Sequence, residues 1–143
     1  STYLKVHLRP SYKYFSKYFK MHKGVIVFAF ILLISCAQAN VVVQRALSLV
    51  GQSRANYVCN QVVNYALTGN KNGPLASYYL HWGHPVSSPQ GGDVVVAKDG
   101  SHVGIFVSPD EFVHSSSSKY QVVKVPKSQL PWVFPSGYSI RRQ

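Results

Sequence analysis

The chain has 143 residues, with fifteen Lys and Arg against four Asp and Glu and a formal net charge of +11. That length accommodates one small domain built on a single core, and two cysteines exclude a disulfide framework. Five of the bases fall in residues 1–20, where there is no acid, and from Asn40 onward nine bases face four acids, a net of +5. Those nine are scattered, with only Arg141 and Arg142 adjacent and no nucleic-acid motif. This argues against a nucleic-acid partner and suits attraction to a polyanionic surface.

The N-terminal third reads as a targeting segment. Met21, the only methionine, opens Met21-His22-Lys23-Gly24, ten apolar residues from Val25 to Ile34 follow, and then Ala37-Gln38-Ala39. A short basic start, an apolar stretch and small residues at a cleavage point are the pattern of a secretory signal, here over residues 21–39. The apolar run is shorter than the about 20 residues a membrane-crossing helix requires. Residues 1–20, upstream of that methionine, read as an over-extended reading frame or a basic tail without a fold of its own. The mature chain is then expected to start at Asn40. A second processing route is written in Leu33-Ile34-Ser35-Cys36, which has the form of a bacterial lipoprotein signal with Cys36 as the acylated residue. Without that lipid no stable membrane association is expected.

In chain order, Asn40 can cap a first helix with Val43, Ala46, Leu47 and Val50 on one stripe, ended by Gly51. Asn56 can cap a second through Thr68, stopped by Gly69, with Cys59 as its third residue and Cys59, Val62, Val63 and Ala66 on one face. A short third helix spans Pro74–Leu80, and His81–Gln90 is a Pro/Ser/Gly-rich loop. Strands follow at Asp93–Lys98, His102–Val107, Glu111–Ser116, Tyr120–Val125 and Gly137–Arg142, with Asp99-Gly100 as a turn. Helices first and a meander after them indicate α+β, with N-terminal helices packed on an antiparallel sheet of about five strands.

Cys59 is the one cysteine beyond the targeting segment. It is either a small buried apolar residue, an intermolecular linker or a nucleophile. At a helix start, unpaired N–H groups and the helix dipole favour a thiolate, and the same N–H groups can hold an oxyanion. A nearby histidine would complete the activation, and the following strands carry His102 and His114. Side chains alternate along strands, so the hairpin loop decides whether the two meet. A three-residue loop at Ser108-Pro109-Asp110 sets Val107 opposite Glu111 and Gly104 opposite His114, with His102 a diagonal neighbour on the same face. A regular two-residue loop at Pro109-Asp110 separates them unless a bulge intervenes. His81 and His84 have a spacing that can bind a metal, but no further ligand is evident. A loop lining a groove, with Trp82 as an apolar wall, is the favoured reading of that segment. Asp93, at a strand start after two glycines, suggests a turn role. Asp99, Asp110 and Glu111 read as solvated turn residues.

Cys59 at a helix start, Gly92-Asp93 followed by three valines, His102-Val103-Gly104-Ile105-Phe106 and Phe112-Val113-His114 together resemble the NlpC family of cysteine peptidases. The likeness runs from Val41 to Arg142 and is strongest over Gly92–Ser115. The resemblance implies a papain-like core, no cofactor and no metal, and cleavage of amide bonds in the stem peptides of bacterial peptidoglycan; with the targeting segment this makes a secreted enzyme, and a monomer is expected. It implies Cys59 as nucleophile, His102 as general base and His114 as the residue that orients it, with Tyr57 beside the oxyanion region. The chain departs from the family at the nucleophile, where Val58-Cys59-Asn60-Gln61 stands in place of Asp-Cys-Ser-Gly. A CHAP-type amidase has a similar order but usually Asn, Asp or Glu as third residue. The alternative from another class is an inactive cationic module that binds cell walls.

Overall fold

The computed structural model describes residues 12–143, with side chains from residue 24 onward except Ser35 and Cys36. Residues 1–11 and the side chain of Cys36, on which the tail and lipoprotein readings bear, lie outside what is described. The chain divides into two compact units, Ser1–Cys36 and Ala37–Gln143. Helix α1 spans Tyr12–Ser48, so residues 12–20 are helical and Asn40 lies inside a helix instead of capping one. Nothing in residues 37–40 breaks a helix: Ala and Gln are good helix formers and neither Gly nor Pro intervenes.

In the first unit the described apolar side chains from Val25 to Ile34 are exposed, Phe28 at 71 % and Leu33 at 67 %. By length and composition the helical stretch Gly24–Ser48, with a mean hydropathy of 2.4, is long and apolar enough to cross a membrane. Its C-terminal end is already committed, because Ala46 is fully buried in the core of the second unit.

In the second unit, α2 (Cys59–Thr68) follows the turn at residues 49–56. Asn56 does not cap it. Val58 is the cap, extended at φ −76° and ψ 170°, which makes Cys59 the first helical residue and not the third. Gln61 turns back so that its Oε1 accepts the Val58 N–H at 3.1 Å, the half of a capping box that does not need a polar cap residue. Gly69 ends the helix in the left-handed conformation, φ 80°, where a side chain would be strained. The expected third helix is a 3-10 turn over Ala76–Leu80.

The sheet has six strands: β1 (His84–Pro85), β2 (Val94–Ala97), β3 (Val103–Ser108), β4 (Glu111–Ser116), β5 (Gln121–Pro126) and β6 (Tyr138–Arg142). They are ordered β1-β6-β2-β3-β4-β5 with antiparallel neighbours. The additional strand is β1, two residues of the expected loop that pair with Arg141 and Arg142. A two-residue strand has no periodicity to read.

Strand alternation divides the core in two. Val94, Val96, Val103, Ile105, Val113 and Val122 face α2, the 3-10 turn and the end of α1. Val95, Ala97, Phe106, Phe112, Val123 and Val125 face the short helix α3 (Leu130–Val133) and Phe134. Both faces are therefore covered, which is why β2 reads as a continuous apolar run. Each fully buried valine or phenylalanine contributes about 1.5–3 kcal/mol.

Asp93 does more than turn the chain. It is 1 % exposed, and its carboxylate accepts the Gln90 N–H at 2.8 Å and both Arg142 Nε (2.8 Å) and a terminal nitrogen (2.7 Å). This bidentate pair ties the start of β2 to the last strand.

Candidate active site

The hairpin between β3 and β4 closes with the two-residue loop, since Ser108 pairs with Glu111. A register shift between Phe106 and Ser108 corrects the phase, so that Phe106 faces Phe112 and Ile105 faces Val113. The extra residue, Val107, is a bulge. One step further along this register Gly104 lies opposite His114. The juxtaposition expected from a longer loop is thus reached through a shorter loop plus a bulge. A Cβ on Gly104 would stand 3.3 Å from the His114 Cβ and 3.0 Å from the Val113 carbonyl, so glycine is what leaves room there.

His102 Nε2 and His114 Nδ1 are 3.0 Å apart, with the rings nearly perpendicular at 88°. His114 is 6 % exposed and stacks on Phe112 at 5.6 Å between ring centres. His102, half-buried, lies 5.3 Å from the Phe134 ring. Burial pushes the His114 imidazole down to about 4, and the neighbouring His102 adds to the shift. Burial also pushes His102 below the usual histidine value, with the Arg54 charge second and Asp99 opposing. The pair is therefore neutral at neutral pH. When His102 Nε2 donates to His114 Nδ1, the His102 Nδ1 lone pair is left free to take a proton.

By strand parity the imidazoles stand on the Phe112–Phe134 face of the sheet, whereas Cys59, half-buried, packs with the other core. The topology brings the two toward one sheet end. Helix α2 packs on β3 and β4. The link into it runs along β5: Gly51 N–H donates to Val122 O at 2.9 Å, and Arg54 N–H to Tyr120 O at 3.0 Å, with Ser53 bridged to Gln121. The start of β5 adjoins the end of β4 through Ser116 and Gln121, beside His114. His102 immediately precedes β3. The N-terminus of α2 and the strand ends bearing both histidines therefore share one edge of the domain.

Tyr57 stands two residues before Cys59, edge-on to Tyr65 at 5.9 Å, with Lys71 Nζ 5.3 Å over its ring. Trp82 is edge-on to Tyr79 at 5.9 Å and lines a cavity of about 280 Å³ with Asn64, Leu67 and Tyr79. Asn64 anchors that wall, accepting the Tyr79 hydroxyl at 2.6 Å; burial pushes Tyr79 up to about 12. The histidine pair lines a different groove of about 300 Å³, with Ser116, Lys119, Gln129 and Trp132. Trp132, 85 % exposed, was not singled out in the sequence, because one aromatic after Pro131 carries no periodic signal. A larger groove of about 810 Å³, lined by Val86, Pro126, Leu130 and Tyr138, holds none of the sequence-derived site residues. Among the described residues no three His, Cys, Asp or Glu gather as a metal site.

Arg54 is a further member of this edge that sequence reasoning passed over. Its one signal is position, five residues before Cys59.

No protein-family model matches the sequence, and no curated protein matches it. Solved structures do. The NlpC1 protein of Trichomonas vaginalis superposes with a TM-score of 0.54 and 21 % identity over 73 % of this chain and 43 % of its own. NlpC2 of the same organism gives 0.53 and 19 % over 73 % of this chain and 46 % of its own. This chain thus matches less than half the length of either. With six antiparallel strands and helices on the sheet, the chain has the α+β fold of these NlpC proteins.

Proposed function

We propose that the protein is a secreted cysteine peptidase that hydrolyses amide bonds in the stem peptides of bacterial peptidoglycan, with Cys59 as nucleophile, His102 as general base and His114 as its orienting partner. The observation that carries this reading is the 3.0 Å contact between His102 Nε2 and His114 Nδ1 on a fold of NlpC type. His114 is held neutral and acts as acceptor, which fixes the His102 ring and tautomer with Nδ1 free. In that tautomer His102 takes the thiol proton, and the sulfur attacks the scissile carbonyl. The proton then passes to the leaving amine, and water hydrolyses the thioester with His102 again as base.

The helix start supports the same step. Val58 has no side-chain acceptor to occupy the first-turn N–H groups of α2. Those donors, at Cys59 and the residues after it, can stabilise negative charge on the sulfur and on the carbonyl oxygen. Secretion is supported by the exposed apolar helix ahead of the domain, and wall attraction by the net positive charge from Asn40 onward.

Clearance of purified peptidoglycan suspensions tests the proposal. Cys59→Ala is expected to abolish it and His102→Ala to reduce it by about 10²–10⁴-fold. His114→Ala should cost less, since nucleophile and base remain. Full activity in a folded Cys59→Ala protein refutes the peptidase reading.

A further inference from the structure

Trp82 stands apart from the histidine pair, on the cavity of about 280 Å³ beside the C-terminal half of α2. That volume is at the small end for a ligand pocket, about 300–1,000 Å³, and suits a single ring. Its aromatic wall is built in advance. Tyr79 is buried and edge-on to Tyr78 at 5.5 Å and to Trp82 at 5.9 Å, whereas Tyr78 is 55 % exposed. Arg141 fixes the backbone under the indole, donating to the Trp82 and Gly83 carbonyls at 2.9 and 3.1 Å. A second wall is the segment Asn72–Pro74, strapped to α2 by the side-chain amides of Asn60 and Asn64, which both donate to Pro74 O at 3.0 and 3.2 Å. A Cβ on Gly73 would lie 2.9 Å from the Asn64 amide, so glycine is what lets this strap close.

The lining decides what chemistry fits. Among the described residues, none of the side chains around this cavity is charged, although the domain is basic. By contrast the groove of the histidine pair holds Lys119, and the largest groove holds Asp110 and Lys127. The polar floor has acceptors to offer and no protons. The Tyr79 hydroxyl is committed to Asn64 Oδ1 at 2.6 Å, and the two Asn64 amide hydrogens go to Lys71 O and Pro74 O, each at 3.2 Å. What remains on Tyr79 and Asn64 is lone-pair capacity. A matching ligand is neutral, presents an apolar face to the aromatic rings and brings its own hydrogen-bond donors.

We propose that this cavity is a saccharide subsite that binds one neutral N-acetylhexosamine ring of a cell-wall glycan. The C–H face of the ring lies against Tyr78 and Trp82, and its hydroxyls and acetamide N–H supply the donors that the floor lacks. The choice of a wall glycan rests on the wall-acting reading; the site itself uses neither Cys59 nor the histidines. Its place on α2 gives it a use. Asn64 follows Cys59 by five residues, about 7.5 Å along the helix axis, and Asn60, the residue after Cys59, holds the same strap. A glycan bound here is kept close to the start of α2, and the domain has a hold on the wall that does not depend on its net charge.

The test is titration with tri-N-acetylchitotriose, a neutral oligomer of such rings, followed by calorimetry and by tryptophan fluorescence. The chain has two tryptophans, so Trp132→Phe leaves Trp82 as the one indole, and its emission should shift to the blue in a saturable way. Trp82→Ala should weaken binding by about tenfold or more and Tyr78→Ala by about threefold or more. Tyr78 is exposed, so its variant reads the site even if Trp82→Ala does not fold. Binding should be the same at about 0.05 and 0.5 M salt, because no charge takes part. No saturable binding up to roughly millimolar sugar, affinity lost at high salt, or affinity unchanged in a folded Tyr78→Ala or Trp82→Ala protein overturns the proposal. Cys59→Ala should bind the sugar as the wild type does. The subsite therefore stands or falls separately from hydrolysis: a protein that binds the sugar and cuts no wall refutes the peptidase reading alone.

Discussion

Acid should destabilise this domain through His114 in particular. In the unfolded chain the imidazole binds its proton near 6.5, whereas in the fold it does so only near 4. Above the unfolded value both states hold neutral imidazole and the contribution is complete. As pH falls through this window the unfolded chain binds the proton first, so stability declines with falling pH. At 1.36 kcal/mol for each unit, the separation corresponds to about 3 kcal/mol, a large part of the about 5–15 kcal/mol that a domain typically has. His102 is shifted in the same direction and adds to the decline, and the two titrate as a coupled pair. Asp99 is lowered by Ser101, so its own contribution is lost only below this range. Urea denaturation followed by circular dichroism, at a series of pH values from above 6.5 down to 4, measures the slope. His114→Gln should remove most of it, leaving the part due to His102. A wild-type stability that does not change across the window, or a His114→Gln slope equal to the wild type's, would refute the account of the pair as buried and neutral.

Other substitutions probe the supports of the site. Gly104→Val should push His114 away from His102, because even a Cβ there lies 3.0 Å from the Val113 carbonyl; kcat should fall by about a hundredfold while the far-ultraviolet spectrum is kept. Phe134→Ala removes a 1 % exposed ring from beneath His102 and should cost about 3–5 kcal/mol in urea denaturation. Asp93→Ala should cost about 3 kcal/mol, since it unpairs Arg142 and leaves the Gln90 N–H without its acceptor. N-terminal sequencing of protein recovered from the medium should find Asn40 first, and retention of residues 21–39 would contradict the signal-peptide reading.

What the sequence disclosed, and what it did not, follows from which interactions are local. The valine run of β2, the Asp99-Gly100 turn and the Gly69 stop are local signals, and the elements around them lie within a residue or two of expectation. Caps are less legible. Asn40 and Asn56 have the right chemistry, but the first lies within a helix that continues from upstream, and the second lies in a turn pinned by Ser53 to the edge of β5. Those pairings are tertiary and leave no local trace. The bulge at Val107 is of the same kind: loop length and bulge compensate each other, so the histidines share a face by a route the pattern could not distinguish. Likewise β1 exists only because β6, more than fifty residues later, pairs with it. The division of Trp82 and His102 between two cavities is also a tertiary outcome.

Mass analysis of the fragments released from purified peptidoglycan tests the central claim most directly. The wild-type protein should release fragments cut at an amide bond within the stem peptide, with glycan strands intact and one consistent new amine and carboxylate terminus, and Cys59→Ala should release none. Fragments cut within the glycan, or stem-peptide cleavage that persists in a folded Cys59→Ala protein, would contradict the account.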